Sequence, residues 1–252
     1  MVTFGTSGQW EYDPASPLGK PGAFGAVFRG RSKDGSEVAV KMVSPTDELS
    51  RDRLRTREVD ILRRTNEIGS TRLIRMLDVA VGSADELLIV LELADGQLDI
   101  DPGGAPVDVA LAALEQIIAG LIDLHGAGII HRDLKPANVL RIGQGLVLSD
   151  FGIARDAALG TQSLTFKGWG TPAYMAPELW RGGSPTVATD LYAIGIVAYE
   201  LLTGQRPFNG DACTIEGTAR PPDATTTPRP RTCQASHDRD TIASEGPHRP
   251  LP

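Results

Sequence analysis

The apolar residues of this chain change their period once, near Gly96, and that change limits the fold more than any single residue type. Before it, runs rich in Val, Ile and Leu at 26–29, 37–43, 74–81 and 87–91 read as short strands. One stretch among them, 51–65, places Leu54, Glu58, Ile61 and Leu62 at helical spacings on one face. After Gly96, Leu111, Leu114, Ile118, Leu121 and Leu124 recur at three and four, which predicts a helix capped by Asp108, running through His125 and ended by Gly126 and Gly128. A loop-rich stretch over 131–178 follows, then a helix over about 189–202 closed by Gly204 and Pro207. The pattern is α+β: a small β-rich lobe holding one helix, then a mostly helical lobe.

Beyond Phe208 the character shifts again. Residues 209–252 have no aromatic side chain, seven prolines, and only Ile215, Ile242 and Leu251 as large aliphatics, too little apolar surface to offset the entropy of ordering. The expected organisation is an N-terminal extension over 1–9, a first lobe over 10–94, a second over 95–208 and a disordered tail over 209–252. At 252 residues and 41% hydrophobic content the chain can bury a sizeable core. A net charge of −7 argues against non-specific nucleic-acid binding, which needs basic surface to neutralise phosphates. Cys213 and Cys233 both lie in the tail, so no disulfide framework holds the main body, and a reducing, cytoplasmic compartment is expected. Residues 1–9 lack the basic and apolar regions of a signal peptide. The strongest apolar run, 191–202, contains Glu200 and is too short for a bilayer, so no membrane segment is expected and the run reads as a buried helix.

Four segments carry chemistry. Leu18 to Val27 spaces Gly19, Gly22 and Gly25 where backbone can approach a phosphate closely before a strand, although a plain Gly/Pro turn would account for this run by itself. Val38-Ala39-Val40-Lys41 buries a strand on both sides of a lysine whose ammonium can meet phosphates, although a lone strand lysine is usually a solvated edge charge; Glu58, on the apolar side of its helix, is by itself either a surface carboxylate or one met by a cation, for which Lys41 is the natural candidate. In His131-Arg132-Asp133-Leu134-Lys135-Pro136-Ala137-Asn138-Val139-Leu140, Asp133 can orient an incoming hydroxyl and accept its proton, Lys135 can neutralise charge on a transferring phosphoryl group, and Asn138 offers a neutral oxygen to Mg²⁺. Asp150-Phe151-Gly152 follows an apolar Leu146-Val147-Leu148 and adds a carboxylate suited to the same metal.

In this order, and together with Gly170-Thr171-Pro172-Ala173-Tyr174-Met175-Ala176-Pro177-Glu178, Asp190 and Gly195, these segments resemble the eukaryotic-type (Hanks-type) serine/threonine protein kinases over about residues 10–208. Asp-Phe-Gly-Ile-Ala-Arg is similar to bacterial members. The resemblance implies a bilobal kinase-like fold that transfers the γ-phosphate of ATP to protein serine or threonine hydroxyls. It implies catalytic roles for Asp133, Lys135, Lys41 and Glu58, and metal ligation by Asn138 and Asp150, with Mg²⁺ or alternatively Mn²⁺. It implies an ATP site of Gly19, Gly22, Gly25, Val27, Ala39, Lys41, Leu91, Glu92, Leu93 and Leu140, where Ala39 and Leu140 sandwich the adenine, Leu91 guards the back of the pocket and Glu92 to Ala94 form the hinge. Arg132, just before the catalytic aspartate, is expected to pair with a phosphate on Thr165 or Ser163, with Thr161 third, while Thr171 contacts Asp133 and Lys135. The expected partners are ATP, a Ser/Thr protein substrate, and a second copy or a partner kinase for autophosphorylation.

The resemblance stops at 205–210. In the family the second lobe continues through several more helices and supplies an arginine to the glutamate represented here by Glu178; this sequence offers neither, so the expected second lobe lacks its last helices. Glu178, read as a buried carboxylate without its partner, is expected to cost on the order of 3–5 kcal/mol, and the helix over 191–202 to expose an apolar face. The abrupt change points to a shortened product of a longer kinase gene. A second reading is therefore an inactive nucleotide-binding or dimerisation module. A third, a small-molecule phosphotransferase, is disfavoured by Lys135 and by 170–178.

Overall fold

The structure, a computed structural model, describes residues 1–5, 9–19, 25–43, 59–83, 86–151, 172–180 and 182–208. The chain divides into two units, Met1–Ala219 and Arg220–Pro252, and every described residue belongs to the first. The stretch expected as a tail, 209–252, lies outside the described residues.

Six strands form one antiparallel sheet: β1 (Val2–Phe4), β2 (Trp10–Pro17), β3 (Ala26–Ser32), β4 (Glu37–Val43), β5 (Met76–Val81) and β6 (Leu87–Glu92), in the order β1-β2-β3-β4-β6-β5. Strand alternation splits β4 between two environments. Val38 and Val40 face a cluster of Phe4, Tyr12, Phe28, Leu88 and Val90, in which the Tyr12 ring sits 5.8 Å from Phe4 and 5.3 Å from Phe28. Ala39 and Lys41 face the opposite way, in register with Leu91 and Ile89 of β6. The first two strands were not expected from the sequence. Residues 1–9 read as an extension because three residues carry no period, yet Val2–Phe4 pairs with β2, and the Phe4–Tyr12 ring contact anchors it. Strand β5 starts two residues later than its apolar run, because Leu73 bridges to Leu148 and the Ile74 N–H donates to the Leu148 carbonyl at 2.9 Å.

Helical residues 59–68 (α1) are the described part of the helix expected over 51–65. The later elements are α2 (Val107–Gly126), a 3₁₀ turn (Pro136–Asn138), the sheet β7 (Gly96–Gln97), β8 (Val139–Ile142) and β9 (Gly145–Leu148), α3 (Pro177–Trp180) and α4 (Val187–Thr203). Asp108 is not the cap of α2. Pro106 holds that position without a side-chain bond, and Asp108 stands in the first turn, where its charge still suits the helix dipole. Helix α4 begins two residues earlier than expected because the Thr189 hydroxyl accepts the Thr186 N–H at 3.3 Å and donates to the Thr186 carbonyl at 2.6 Å. Thr189 is buried, so the near-isosteric Thr189→Val removes both bonds and is expected to lower stability by about 1 kcal/mol in urea unfolding.

One apolar core joins the large sheet to the helices. Val59 and Leu62 of α1, Leu73, Ile74 and Ile89 pack in the same cluster as Ile117, Leu121 and Leu124 of α2, Leu134, Phe151, and Val197 and Leu201 of α4. Each fully buried large side chain of this kind stabilises by roughly 1.5–3 kcal/mol. Gly120 lets α2 lie close to β9, since a Cβ there would meet Leu148 Cδ1 at 2.9 Å and the Arg72 carbonyl oxygen at 3.1 Å. On the outer side of α4, Leu191 and Leu202 remain exposed, as the sequence led one to expect.

Candidate active site

A buried carboxylate fixes the loop that carries most of the chemistry. Asp190, in the first turn of α4, is 1% exposed; its Oδ2 accepts the His131 N–H and its Oδ1 the Arg132 N–H, both at 2.8 Å. His125 Nε2, at the end of α2, lies 2.8 Å from the same Oδ2. These bonds hold Arg132 at φ 68, a left-handed conformation that is costly for a side chain of this size and persists only where surroundings enforce it. The His131 ring is fully buried, edge-on to Phe151 at 5.9 Å, and its Nε2 has no hydrogen-bond partner among the described residues.

Burial holds the His131 pKa below its ordinary value despite the nearby carboxylates of Asp190 and Asp133. The folded protein therefore binds fewer protons at this ring than the unfolded chain, and its contribution to stability falls as pH drops below about 6.5, where the unfolded ring takes its proton. Thermal unfolding between pH 7.5 and 5.5 should show this loss, and His131→Phe should flatten it, giving up only a 3.4 Å bond from the Asp133 N–H.

Asp133 is met from two sides. Lys135 Nζ lies 2.7 Å from its Oδ2, and Asn138 Nδ2 donates to the same oxygen at 3.0 Å and to the Asp133 carbonyl at 2.8 Å. The 3₁₀ turn, with Pro136 at its start, brings Asn138 back over the loop. With its amide nitrogen turned to Asp133, Asn138 keeps its side-chain oxygen as an acceptor. The Asn138 carbonyl receives the Ser149 N–H at 2.9 Å and the Ser149 hydroxyl at 3.1 Å, which places Asn138 beside Asp150. Asp150 has φ 55, the other left-handed non-glycine residue among those described, and its Oδ1 lies 2.8 Å from Lys41 Nζ. The Lys41 ammonium holds the Asp150 carboxyl below the usual carboxylate range against the opposing effect of desolvation, yet 47% of the side chain stays open to solvent. At neutral pH this group is an accessible carboxylate, the form a divalent cation requires.

Asn138 and Asp150 are hard oxygen donors placed side by side, and they fit Mg²⁺, an ion that takes one or two protein oxygens and completes its shell with phosphate and water. Among the described residues no cluster of three or more His, Cys, Asp and Glu side chains competes for a metal.

The residues expected to hold a nucleotide line up along the strands. Val27 is paired with Lys41, and Ala39 with Leu91. Leu140 lies on β8, partly buried against the main core. The Glu92 carboxylate accepts the Arg75 N–H at 2.8 Å and its own N–H donates to the Arg75 carbonyl at 3.1 Å, so Glu92, expected as part of the hinge, is tied to the segment entering β5, with Leu93 next in the chain. Gly25 has φ 133, and a Cβ there would fall 1.9 Å from the Met42 carbonyl oxygen; Gly19, at φ 104, is exposed. Gly22, Glu58, Thr161, Ser163, Thr165 and Thr171 lie outside the described residues.

One expectation is corrected. Glu178 is only partly buried; among the described residues no cation pairs with it, but solvent reaches it, so the cost of a stripped buried charge does not apply. Burial, and secondarily the Glu178 charge, raise the Tyr192 pKa. Two arrangements had no reading in the sequence: the His125–Asp190 contact, and the hydrogen bond from the Tyr174 hydroxyl to Glu200 Oε2. The available signal was a carboxylate on the apolar helix α4 at each end, Asp190 and Glu200, neither of which belongs there without a donor.

A family model described as "Protein kinase domain" matches residues 12–238. "Serine/threonine-protein kinases drp72" of Corynebacterium efficiens is 36% identical over 186 residues, covering 70% of this chain and 35% of that protein. "Serine/threonine-protein kinase PkaA" of Streptomyces coelicolor is 38% identical over 220 residues, covering 77% and 39% respectively. "Serine/threonine-protein kinase TIO" of Arabidopsis thaliana is 39% identical over 195 residues, with 74% of this chain and 14% of that protein matched. The chain thus spans well under half the length of these relatives.

Proposed function

Because this chain belongs to the protein kinase family, in its eukaryotic-type (Hanks-type) serine/threonine branch, we propose that it transfers the γ-phosphoryl group of ATP to serine or threonine hydroxyls of proteins. The observation that carries the reading is the convergence of two polar groups: Lys41 on Asp150, and Lys135 and Asn138 on Asp133, joined where Ser149, next to Asp150 in the chain, bonds to Asn138. Lys41 meets the α- and β-phosphates, and Val27, Ala39, Leu91 and Leu140 wall the adenine. Asn138 and Asp150 would hold Mg²⁺ or Mn²⁺, which would supply positive charge against the phosphate oxygens. Asp133 orients the attacking hydroxyl and receives its proton as the new O–P bond forms and the bond to the ADP oxygen breaks. Lys135, already at hydrogen-bond distance from Asp133, stabilises charge on the group in transit. Little covalent chemistry is asked of the protein, so positioning and electrostatics supply the rate.

Label transfer from γ-labelled ATP to a generic basic protein, with Mg²⁺ or Mn²⁺, tests the reading. Metal-dependent incorporation is expected, and folded protein that transfers none with either metal would overturn it. Regulation follows by the same chemistry: Arg132 pairs with a phosphate on Thr165, Ser163 or Thr161, placed by a second copy or a partner kinase. Phosphopeptide mapping of active protein that found none of these modified would remove that part. The site's need for ATP argues for the cytoplasm, and among the described residues no helix is long and apolar enough to cross a membrane.

A further inference from the structure

We infer that α2 and α4 together form a docking face for an amphipathic helix of another protein, one whose apolar stripe is flanked by lysine or arginine. The two helices run antiparallel. The Ala105 N–H, just before α2, donates to the Leu201 carbonyl near the end of α4 at 2.7 Å, and His125 near the end of α2 meets Asp190 in the first turn of α4. Ala110, Ile117 and Leu121 of one helix and Ala193, Val197 and Leu201 of the other turn into the shared core. A second set of apolar residues does not. Val107, Leu111, Ile118 and Ile122 share one side of α2, and Val187, Leu191 and Leu202 share one side of α4, with Gly195 and Ala198 between them. These large side chains are all open to solvent, from 41% at Leu202 to 64% at Val107. On each helix the stripe follows the buried residues in the same rotational sense, and an antiparallel pair then presents both stripes on one side. The face is about 22 Å long, the rise from Val107 to Ile122. It exposes roughly 600 Å² of apolar surface, at the upper end of what a monomer shows as one patch and most of one side of a standard interface. A Cβ built on Gly195 meets nothing within 4 Å, so the middle of the face is open.

Charge decides the occupant. Asp108 and Glu115 border the stripe along α2, both exposed and, among the described residues, neither paired with a cation. Seven residues apart on one helix, they stand about 10 Å from each other along its axis, so two cations at the same spacing on a docked helix meet both. Neither α2 nor α4 carries a lysine or arginine, so the same face of a second copy brings no cation to them. Residues 209–252 carry arginines, but their seven prolines and their few large aliphatics, Ile215, Ile242 and Leu251, offer no helical stripe to match. A helix of another protein, apolar on one side and basic on its flanks, supplies both the surface and the charge.

The test is the binding of designed peptides to the full chain by fluorescence anisotropy. The probe is a labelled amphipathic helix about five turns long, with a leucine stripe and lysine flanks. One twin carries glutamate in place of lysine, and another is the lysine peptide scrambled. The probe should bind at least about tenfold more tightly than either twin, and its advantage over the glutamate twin should shrink in high salt. Asp108→Lys combined with Glu115→Lys should reverse the preference between lysine and glutamate flanks. Gly195→Trp, which fills the open middle of the face, and Ile118→Asn should each weaken the probe by about tenfold or more, with melting temperatures reporting that the fold is intact. Failure of the probe to bind, equal binding of the twins, or binding that survives both substitutions would overturn the inference. Ile122→Cys separates the occupants. In the peptide-free chain this thiol should react readily with a maleimide, and the probe should shield it. Shielding without peptide that disappears on dilution would place a second copy on the face, and shielding at every dilution would place residues 209–252 there; either result would overturn the inference. Phosphotransfer stands or falls separately, by label transfer from ATP.

Discussion

Replacing Asp133 by asparagine is expected to lower kcat for phosphoryl transfer by a factor of about 10²–10⁴, the range usual for removal of a positioned proton acceptor. The side chain keeps its shape, so an effect of this size cannot come from lost packing. What is lost is the carboxylate: its Oδ2 serves both Lys135 and Asn138, and an amide can turn either an oxygen or an NH₂ toward them but carries no charge and cannot take the hydroxyl proton. Lys135 then faces the transferring group without its counter-charge. Lys41 and Asp150 form a separate ion pair that this substitution does not touch, so the KM for ATP should move little and ATP should still raise the melting temperature. Steady-state kinetics beside thermal melts with ATP separate these effects. An Asp133→Asn protein with undiminished kcat would refute the assignment; one that no longer responds to ATP would place Asp133 in nucleotide binding instead.

Asp190→Ala should be the most damaging single change to the fold. It strands two N–H donors, that of His131 buried and that of Arg132 partly buried, and removes the contact made by His125. Each stranded donor costs about 1–3 kcal/mol, and breaking a buried charged network from one side costs about 3–5 kcal/mol. Against a total stability of roughly 5–15 kcal/mol, the variant is expected to melt far lower or to fail to fold. Asp190→Asn is the informative companion. It fills the same space and keeps one acceptor oxygen, but directs an NH₂ at a donor, so a loss of about 1–3 kcal/mol is expected together with reduced kcat in the folded protein. If Asp190→Asn matched the parent in both melting temperature and kcat, the carboxylate would not be what holds Arg132 in its left-handed conformation.

Much of the site was legible as chemistry because its residues lie in short runs whose spacing is itself the geometry. Within His131 to Asn138, a loop and one 3₁₀ turn are enough to bring Asp133, Lys135 and Asn138 together. Helix α2 was legible because apolar residues recur at three and four, although Leu111 and Ile118 of that set are exposed and Ala110 and Ile117 take the buried face with Leu121 and Leu124; helix α4 was legible from its apolar run and the Gly204 at its end, and its start shifted where the Thr186–Thr189 bonds decide. Strand β1 was not, because an edge strand of three residues has no period and is held by a ring contact with a partner eight residues away in the chain; nor was β2, whose Trp10–Pro17 run carries two prolines and little apolar alternation. Nor was the pairing of Tyr174 with Glu200, across 26 residues, since neither residue type announces the other.

The sequence by itself determined which groups could do the chemistry and the local backbone that carries them, because those depend on side-chain type and on neighbours a few residues apart. Only the tertiary structure decided where the groups meet. Lys41 and Asp150 are 109 residues apart, and Asp190 lies 58 residues beyond the loop it fixes. Such contacts form when the shared core around Ile89, Leu134, Phe151 and Val197 closes, and the burial that drives this closure depends on all its members at once.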